Sequence, residues 1–211
     1  MNAASDFLTS SIKRFAEYKL LAEKAMQQLN EEDLHFIPNA ASNSIAIIIQ
    51  HLHGNMVSRW TGFLTEDGEK PWRKRDEEFE EISLTHKELM EKWEEGWKVL
   101  FDSLGSLTRE DLEKTVTIRL QPQTVTDAIL RQLAHYSYHV GQIVYLARMI
   151  KNTAWQSLSI PKGGSHQYNK ELKKSYFLSQ IIIFSALTII CNNDCSFSYS
   201  SFFSIPLVSA R

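Results

Sequence analysis

Hydrophobic residues recur at steps of three and four in four long segments of the chain. This spacing places the residues of each set on one face of an α-helix. The four predicted helices cover residues 6–29, 45–64, 86–104 and 126–150. The most regular stripe belongs to the last helix and consists of Ile129, Leu133, Tyr136, Val140, Ile143, Ala147 and Ile150. Four helices that each bury one face predict an all-α fold, a four-helix bundle.

Polar residues at the starts of these segments indicate where the helices begin, because Ser, Thr and Asn side chains accept hydrogen bonds from free backbone N–H groups. Thr85 and Glu88 have the spacing of a capping box. The candidate N-caps are Ser5, Asn43 or Ser44, Thr85, and Thr124 or Thr126. Residues 29–34 resemble residues 107–112, which suggests two similar helix pairs. A common helix-start pattern met twice is an equally good explanation.

The longest connection is predicted between the second and third helices. Residues 65–82 contain an Asp-Gly pair, a proline and the dense charge run of residues 73–81. Gly and Pro are typical of turns, and a charge run is typical of a solvated surface. We therefore expect a long loop whose charged side chains face water. Residues 115–120 alternate only weakly and predict a short extended segment.

The composition of the chain argues against some classes of function. The 23 basic and 25 acidic residues give a net charge of -2, which argues against a nucleic-acid partner because phosphate contacts need clustered positive charge. With 43% hydrophobic residues, general disorder is not expected. The first 30 residues are amphipathic and charged, unlike a signal peptide. These features predict a cytoplasmic protein without a membrane partner.

The C-terminal part of the sequence has a different composition. Residues 171–211 contain five charged residues, nine Ser and both cysteines, Cys191 and Cys195. Their apolar run, residues 177–191, is short for a membrane span of about 20 residues. The expected domains are a four-helix bundle at residues 1–170 and an atypical apolar, Ser-rich tail. An extra packed helix, a weak membrane segment and a non-native extension are open interpretations of this tail, and the abrupt change favours the last.

Two of the seven histidines, His135 and His139, are four residues apart on the fourth predicted helix. This spacing places both imidazoles on one helix face, where they can share a metal ion. A surface coincidence and hydrogen-bonded core histidines are the alternatives. A third ligand is expected from the second helix, where a pseudo-twofold between helix pairs favours His51 and simple burial favours His53. The remaining histidines are predicted to be surface residues, and they are His35, His86 and His166.

Three neutral imidazoles form a nitrogen-only donor set. Because residues 1–170 contain no cysteine, thiolate ligands are excluded there. Borderline divalent ions such as Zn²⁺, Ni²⁺, Fe²⁺ or Co²⁺ suit these ligands. Three protein ligands also leave a coordination position open, which is typical of catalytic rather than structural sites.

Two segments carry a resemblance to a known superfamily. They are Ile49-Gln-His-Leu-His-Gly-Asn55 with Arg59 and Trp60, and Leu133-Ala-His-Tyr-Ser-Tyr-His-Val-Gly-Gln-Ile143. The sequence resembles the DinB-like superfamily of bacterial metal-binding four-helix proteins over about residues 1–170. The superfamily pattern of one histidine on the second helix and two on the fourth falls on His51, His135 and His139. Residues 67–73 and 158–163 resemble a functionally uncharacterised branch.

The resemblance implies a range of functions. Some relatives are S-transferases that use bacillithiol or mycothiol, and others are thiol-dependent isomerases. The leading hypothesis is a metal-dependent enzyme that transfers an external low-molecular-weight thiol to a small electrophile. A non-catalytic, stress-related metal-binding protein and a metal-dependent hydrolase are the alternatives, although the chain lacks the Glu of an HExxH motif beside its histidines.

The resemblance also directs attention to polar residues near the histidines and to assembly. Asn55, Arg59 and Gln142 are candidate cofactor-binding groups, or ordinary helix-surface side chains. Relatives are often dimers, and three tryptophans, with other aromatic residues, exceed what four short apolar stripes must bury. These tryptophans are Trp60, Trp93 and Trp97. We therefore expect a homodimer.

Overall fold

The computed structural model describes residues 3–178, with side chains from residue 6 onward. The α-helices are α1 (Ala3–Met26), α2 (Glu31–His35), α3 (Ile45–Trp60), α4 (His86–Ser106) and α5 (Val125–Lys151). Short 3₁₀ helices cover Asp76–Phe79, Glu110–Glu113 and Asn152–Ala154. Strands β1 (Thr115–Ile118) and β2 (Gln121–Thr124) pair in antiparallel orientation. Residues 165–178 are also helical.

The four long helices form a bundle, so the predicted all-α fold is confirmed. Helix α3 packs mainly along α4, and α1 packs mainly along α5. Their apolar stripes meet in one core, in which aromatic rings are in edge-to-face contact. The largest fully buried side chains include Phe15, Trp93, Trp97 and Tyr136. Burial of this apolar surface is the main stabilising contribution to the bundle.

Most of the helix starts agree with the polar residues singled out from the sequence. The Ser44 hydroxyl accepts a hydrogen bond from the Ile47 N–H, and Thr124 caps α5 in the same way. Thr85 and Glu88 form the expected capping box. The assignment of Ser5 is wrong, because α1 begins at Ala3 and includes that residue.

The faint sequence repeat corresponds to two similar capped turns. After α1, the Asn30 side chain accepts from the backbone of Asp33, and the Asp33 carboxylate accepts from the backbone of Asn30. After α4, the Asp111 carboxylate accepts from the backbone N–H and hydroxyl of Thr108. The first turn is α2, an element that the hydrophobic pattern did not predict because its five residues complete little more than one turn.

The weakly alternating segment is one half of a β-hairpin. Its second strand was not predicted, because Gln121-Pro122-Gln123-Thr124 has no apolar alternation. The two-residue turn, Arg119-Leu120, has positive φ angles of 53° and 62°, as in a type I′ turn. Such turns favour Gly and Asn. Because neither residue occupies this turn, the sequence contains little indication of a hairpin.

The long loop after α3 holds this turn in place. The Asp67 carboxylate accepts hydrogen bonds from the backbone N–H groups of Arg119 and Leu120, at 2.9 and 2.8 Å. The Gly68 N–H donates to the carbonyl of Thr117 at 2.8 Å. Although burial alone would raise the pKa of Asp67, backbone hydrogen bonds from Glu69, Leu120 and Arg119 lower it to about 2. The carboxylate therefore stays charged and the loop and hairpin form one structural unit.

The argument for a homodimer from aromatic content is wrong. Trp60, Trp93 and Trp97 are each at most 2% exposed and belong to the core of a single chain. Gly96 of α4 lies at the contact with α3, where its missing side chain leaves room for Met56. The homodimer itself stays a prediction that rests on the resemblance.

The described chain divides into two units between Leu158 and Ser159. The first unit contains all the long helices of the bundle, and the second includes the helical residues 165–178. The predicted boundary at residue 170 stays a prediction. Most of the predicted tail, including most of its apolar run, lies outside the described residues. None of the helices within residues 3–178 combines the length and apolar composition that a membrane span requires.

Candidate metal centre

Three histidines from two neighbouring helices come together on one side of the bundle. His51 lies on α3, and His135 and His139 lie one turn apart on α5. Their ring centroids are 4.8 to 5.3 Å apart, and the Nε2 atoms of His51 and His135 are 3.3 Å apart. One ring nitrogen of each residue lies within 4.8 Å of the other two. The three imidazoles are therefore close enough together to hold one metal ion.

The two histidines of α3 face different neighbours. His51 is 4% exposed and faces α5, whereas the Nε2 atom of His53 is 2.9 Å from the Glu95 carboxylate of α4. The two residues are about 200° apart around the helix, so they cannot face the same neighbour. The pseudo-twofold argument thus agrees with the placement of His51 beside the two histidines of α5, and His51 as a metal ligand stays a prediction.

In two of these imidazoles the Nδ1 atom lies within hydrogen-bond distance of a side-chain oxygen. His51 Nδ1 lies 2.9 Å from Glu78 Oε2, and His139 Nδ1 lies 2.7 Å from Gln142 Oε1. Because a carboxylate or amide oxygen only accepts, each Nδ1 carries the proton and each Nε2 keeps its lone pair. Metal-binding histidines are oriented and made more basic by contacts of this kind.

Two buried nitrogens at the site have no hydrogen-bond partner within the described residues. They are His135 Nδ1 and His139 Nε2. An unpartnered buried polar atom costs about 1–3 kcal/mol, so folded proteins rarely leave one without a reason. A divalent ion of borderline softness accepts the lone pairs of imidazole nitrogens. The donor set and the unpartnered nitrogens thus both fit a metal ion.

The environment of the site keeps two of the imidazoles neutral. Burial, followed by the charges of His139 and His51, lowers the pKa of His135 to about 3. Burial and the charge of His51 lower the pKa of His139 to about 4. Both rings are therefore neutral at pH 7, which is the form that binds a metal ion.

Part of the charge run after α3 supports the site instead of facing water. The Arg73 guanidinium forms two hydrogen bonds to the Glu78 carboxylate, at 2.7 and 2.8 Å, and the two side chains are only 2% and 9% exposed. Although burial raises the pKa of Glu78, hydrogen bonds from Arg73 and His51 lower it below its usual range. The prediction of a fully solvated run is wrong here, because this bidentate pair compensates the burial of both charges.

Sequence reasoning missed Glu78 because nothing distinguishes it from the neighbouring acidic residues. Glu77, one residue earlier, forms an exposed pair with Lys74. The only local signal is Phe79, an aromatic residue within the charge run. Its ring packs on His51 at a centroid distance of 4.6 Å, and the short 3₁₀ helix turns Glu78 toward the same imidazole.

The three candidate cofactor-binding residues lie near the site in different roles. Gln142 contacts His139 and does not line the adjoining cavity. Asn55 lines the cavity and accepts a hydrogen bond from the Tyr136 hydroxyl at 3.0 Å. Arg59 also lines the cavity, donates to the Gly68 carbonyl and pairs with Glu69 at 3.1 Å.

An open cavity of about 540 Å³ adjoins the histidines. The three imidazoles form part of its wall, and the rings of Phe79 and Tyr138 flank them. A cavity of this size accommodates a small molecule. A ligand that enters it has direct access to the three histidines.

The other histidines take no part in this arrangement. His35 is half-buried, with Nε2 2.8 Å from the Leu84 carbonyl, so its assignment to the surface is wrong. The carbonyl of the loop before α4 provides the partner that makes this burial possible. His86 is also half-buried, whereas His166 is exposed as expected.

Comparison with known proteins identifies a family without assigning an activity. A search of curated proteins gives no match. The family model described as "Protein of unknown function (DUF1572)" matches residues 2–164. This range includes the whole bundle and all residues of the candidate metal centre. The chain therefore belongs to the DUF1572 family.

Proposed function

We propose that this protein is a DinB-like, metal-dependent enzyme that transfers an external low-molecular-weight thiol to a small electrophile. In this proposal His51, His135 and His139 hold one divalent ion, with Zn²⁺, Ni²⁺ and Fe²⁺ as the candidates. The observation that carries the proposal is the pair of unpartnered imidazole nitrogens beside an open cavity. A cytoplasmic location, where thiols are kept reduced, is part of it.

The chain's own contribution is to hold the imidazoles in fixed orientations and to keep those of His135 and His139 neutral. Glu78 and Gln142 accept from the Nδ1 atoms of His51 and His139, and Arg73 holds Glu78. A divalent ion with an open position supplies Lewis acidity that favours the thiolate form of a thiol at neutral pH. Because residues 1–170 contain no cysteine, the bundle supplies no thiol of its own, and in this proposal the thiol comes from another molecule.

The surroundings of Glu78 favour thiol transfer over hydrolysis. Many metal-dependent hydrolases use a carboxylate or similar base that takes a proton from water. Both oxygens of Glu78 are engaged, by Arg73 and His51, and no other carboxylate lines the cavity within the described residues. A thiol that is already deprotonated at the site does not need such a base.

The test joins metal analysis to an activity assay. Purified wild-type protein is expected to contain about one divalent ion per chain. It is then assayed with bacillithiol, mycothiol and glutathione against a chromogenic aryl halide. His139→Ala should lose both the metal and the activity. His53→Ala is the matched control and should keep both, because His53 contacts Glu95 instead.

Each outcome has a distinct meaning. Metal without thiol transfer to any electrophile would favour the non-catalytic metal-binding protein. Stoichiometric metal retained in the His135→Ala, His139→Ala double variant would show that the ion binds elsewhere and would overturn the proposal.

A further inference from the structure

The cavity beside the histidines is lined by positively charged side chains, although the net charge of the protein is slightly negative. Five arginines line it, and within the described residues no Asp or Glu does. They are Arg59, Arg73, Arg75, Arg119 and Arg131. Every formal charge on the cavity wall is therefore positive.

Two of these arginines are fixed by the protein itself. Arg73 is buried and bound to both oxygens of Glu78. Arg59 is buried, donates to the Gly68 carbonyl and pairs with Glu69. Burial lowers the pKa of Arg59 despite the nearby Glu69. Their positive charges contribute to the field of the cavity. The donors of Arg73 are largely used by these contacts, whereas the buried Nε of Arg59 has no partner among the described residues.

The other three arginines lie closer to solvent and are weakly compensated. Arg75 has only Asp76 at 3.6 Å, whose side chain is fully exposed. Arg119 is 3.4 Å from Glu69, a carboxylate that Arg59 and Arg73 also contact. For Arg131, no carboxylate lies within ion-pair distance in the part of the chain that the structure describes. These three side chains, which we call the arginine rim, are available to bind an anion.

One residue of the arginine rim, Arg119, has a strained backbone conformation. Arg119 has a φ angle of 53°, a left-handed conformation that costs a residue with a Cβ about 1 kcal/mol or more. The Asp67 carboxylate compensates this cost by binding the N–H groups of Arg119 and Leu120. A glycine would satisfy the same turn without strain. The bonds to Asp67 thus fix the backbone of Arg119 beside the cavity, which its side chain lines.

Arg75 is linked to the histidines through an aromatic ring. Its guanidinium lies 5.1 Å from the centroid of the Phe79 ring, and that ring packs on His51 at 4.6 Å. A cation over an aromatic face is held there by about 0.5–1 kcal/mol at a partly exposed site. The charge of the arginine rim is thereby kept beside the imidazoles and not at a distant surface.

From this arrangement we infer that the cavity binds a small organic anion, a carboxylate or a phosphate, as the substrate or co-substrate of the proposed enzyme. The arginine rim binds the anionic group, and the rest of the molecule faces the three imidazoles. Guanidinium groups suit carboxylate and phosphate oxygens because they donate two parallel hydrogen bonds. The inference rests on the proposed function only for the role of the anion, because the binding itself needs no metal.

The experiment measures anion binding with and without the metal. Isothermal titration of the metal-free and Zn²⁺-loaded wild-type protein uses three probes: succinate, inorganic phosphate and the neutral succinamide. Succinate or phosphate should bind to both forms, succinamide should not, and affinity should fall as salt is added. The better of the two anions identifies the chemical group.

Two variants test the arginine rim, and one variant serves as control. Arg131→Gln and Arg119→Gly should each weaken anion binding about tenfold or more, since a charge-assisted hydrogen bond is lost. Arg119→Gly also fits the left-handed turn, so a loss of binding in this variant cannot be attributed to a damaged backbone. Arg148→Gln removes an exposed arginine of the same helix as Arg131, outside the cavity, and should leave binding unchanged.

The possible failures are separable. If both rim variants bind succinate and phosphate as tightly as Arg148→Gln does, or if succinamide binds equally well, the inference is wrong. Anion binding only in the Zn²⁺-loaded form would assign the anion to the metal and would also overturn it. If the protein binds the anion but never a metal, the proposed function fails and the anion site stands.

Discussion

Two adjacent residues of α5, Tyr136 and His135, face two interiors of opposite character. Tyr136 is fully buried among the aromatic rings of the core, and its hydroxyl accepts from Trp60 Nε1 and donates to Asn55. His135 faces the cavity and leaves Nδ1 without a partner among the described residues. One side of the helix thus satisfies its polar atoms within the chain, and the neighbouring side leaves lone pairs available to a ligand.

The difference also lies in what holds each region together. The core is made mainly by the four long helices, through burial of their apolar stripes, with a few residues such as Leu34, Leu112 and Val116 from the connecting segments. The site takes its histidines from the same helices, but its supporting groups, Glu78 and Arg73, come from the loop after α3. The core therefore stabilises the fold. The loop orients the histidines for binding, and the nitrogens that are left without a partner lower the stability.

The strongest test of this contrast is the pH dependence of stability in the metal-free protein. In the folded chain the pKa values of His135 and His139 are about 3 and about 4, against 6.5 for an ordinary histidine. Between pH 6.5 and 4 the unfolded chain binds more protons than the folded chain, so the free energy of unfolding falls as the pH falls. The expected loss is on the order of 3 kcal/mol across this window, measured by urea denaturation.

The carboxylates contribute little to the upper part of this window, because Glu78, whose pKa is lowered from 4.5, loses its stabilising contribution only near and below that pH. Asp67 and Asp111, with pKa values of about 2, lose their stabilising contribution only as the pH falls below about 4. The His139→Gln variant should therefore flatten the curve between pH 6.5 and 4. His166→Gln, which changes an exposed histidine, should not. A wild-type curve without slope in this window would mean that the imidazoles are not desolvated as the structure shows.

The second prediction concerns the loop that supports the site. Glu78→Gln keeps the size of the side chain but removes the charge that orients His51 and pairs with Arg73. Loss of such a supporting group typically lowers metal affinity about 10- to 100-fold. The matched control is Glu77→Gln, which changes the neighbouring exposed carboxylate and should leave affinity unchanged. Competition with a metal-binding dye measures the metal affinity of both variants. Equal affinities would show that the loop does not support the site.

The same contrast explains which parts could be predicted from the sequence. Helix stripes and caps are local patterns, so α3, α4 and α5 were located to within a few residues. His135 and His139 share one helix, and their meeting follows from spacing alone. Glu78 reaches His51 through a loop whose path depends on Asp67 binding the turn at Arg119. No periodic pattern records that path, and so the supporting residues were not predicted.

The third prediction addresses the core side of α5. Tyr136→Phe removes a hydroxyl that joins Trp60 Nε1 to the Asn55 side chain. Two buried groups then lose a partner, which should cost about 1–2 kcal/mol of unfolding free energy. Metal affinity should stay within twofold of wild type, because the histidine contacts are not involved. A large fall in metal affinity with unchanged stability would show that the two interiors are not independent.

The last prediction, with the smallest expected effect, compares a glycine of α5 with a glycine of α3. At Gly141 of α5 an added Cβ meets nothing within 4 Å, so Gly141→Ala should stabilise the helix by about 0.5–1 kcal/mol. At Gly54 of α3 an added Cβ would lie 2.3 Å from Glu78 Oε1. Because Arg73 and His51 both hold that carboxylate, it cannot move without losing a contact. Gly54→Ala should therefore lack the stabilisation and lower metal affinity severalfold, as measured by thermal unfolding and dye competition. Equal stabilisation by both substitutions, with metal affinity intact, would show that the position of Glu78 does not matter to the site.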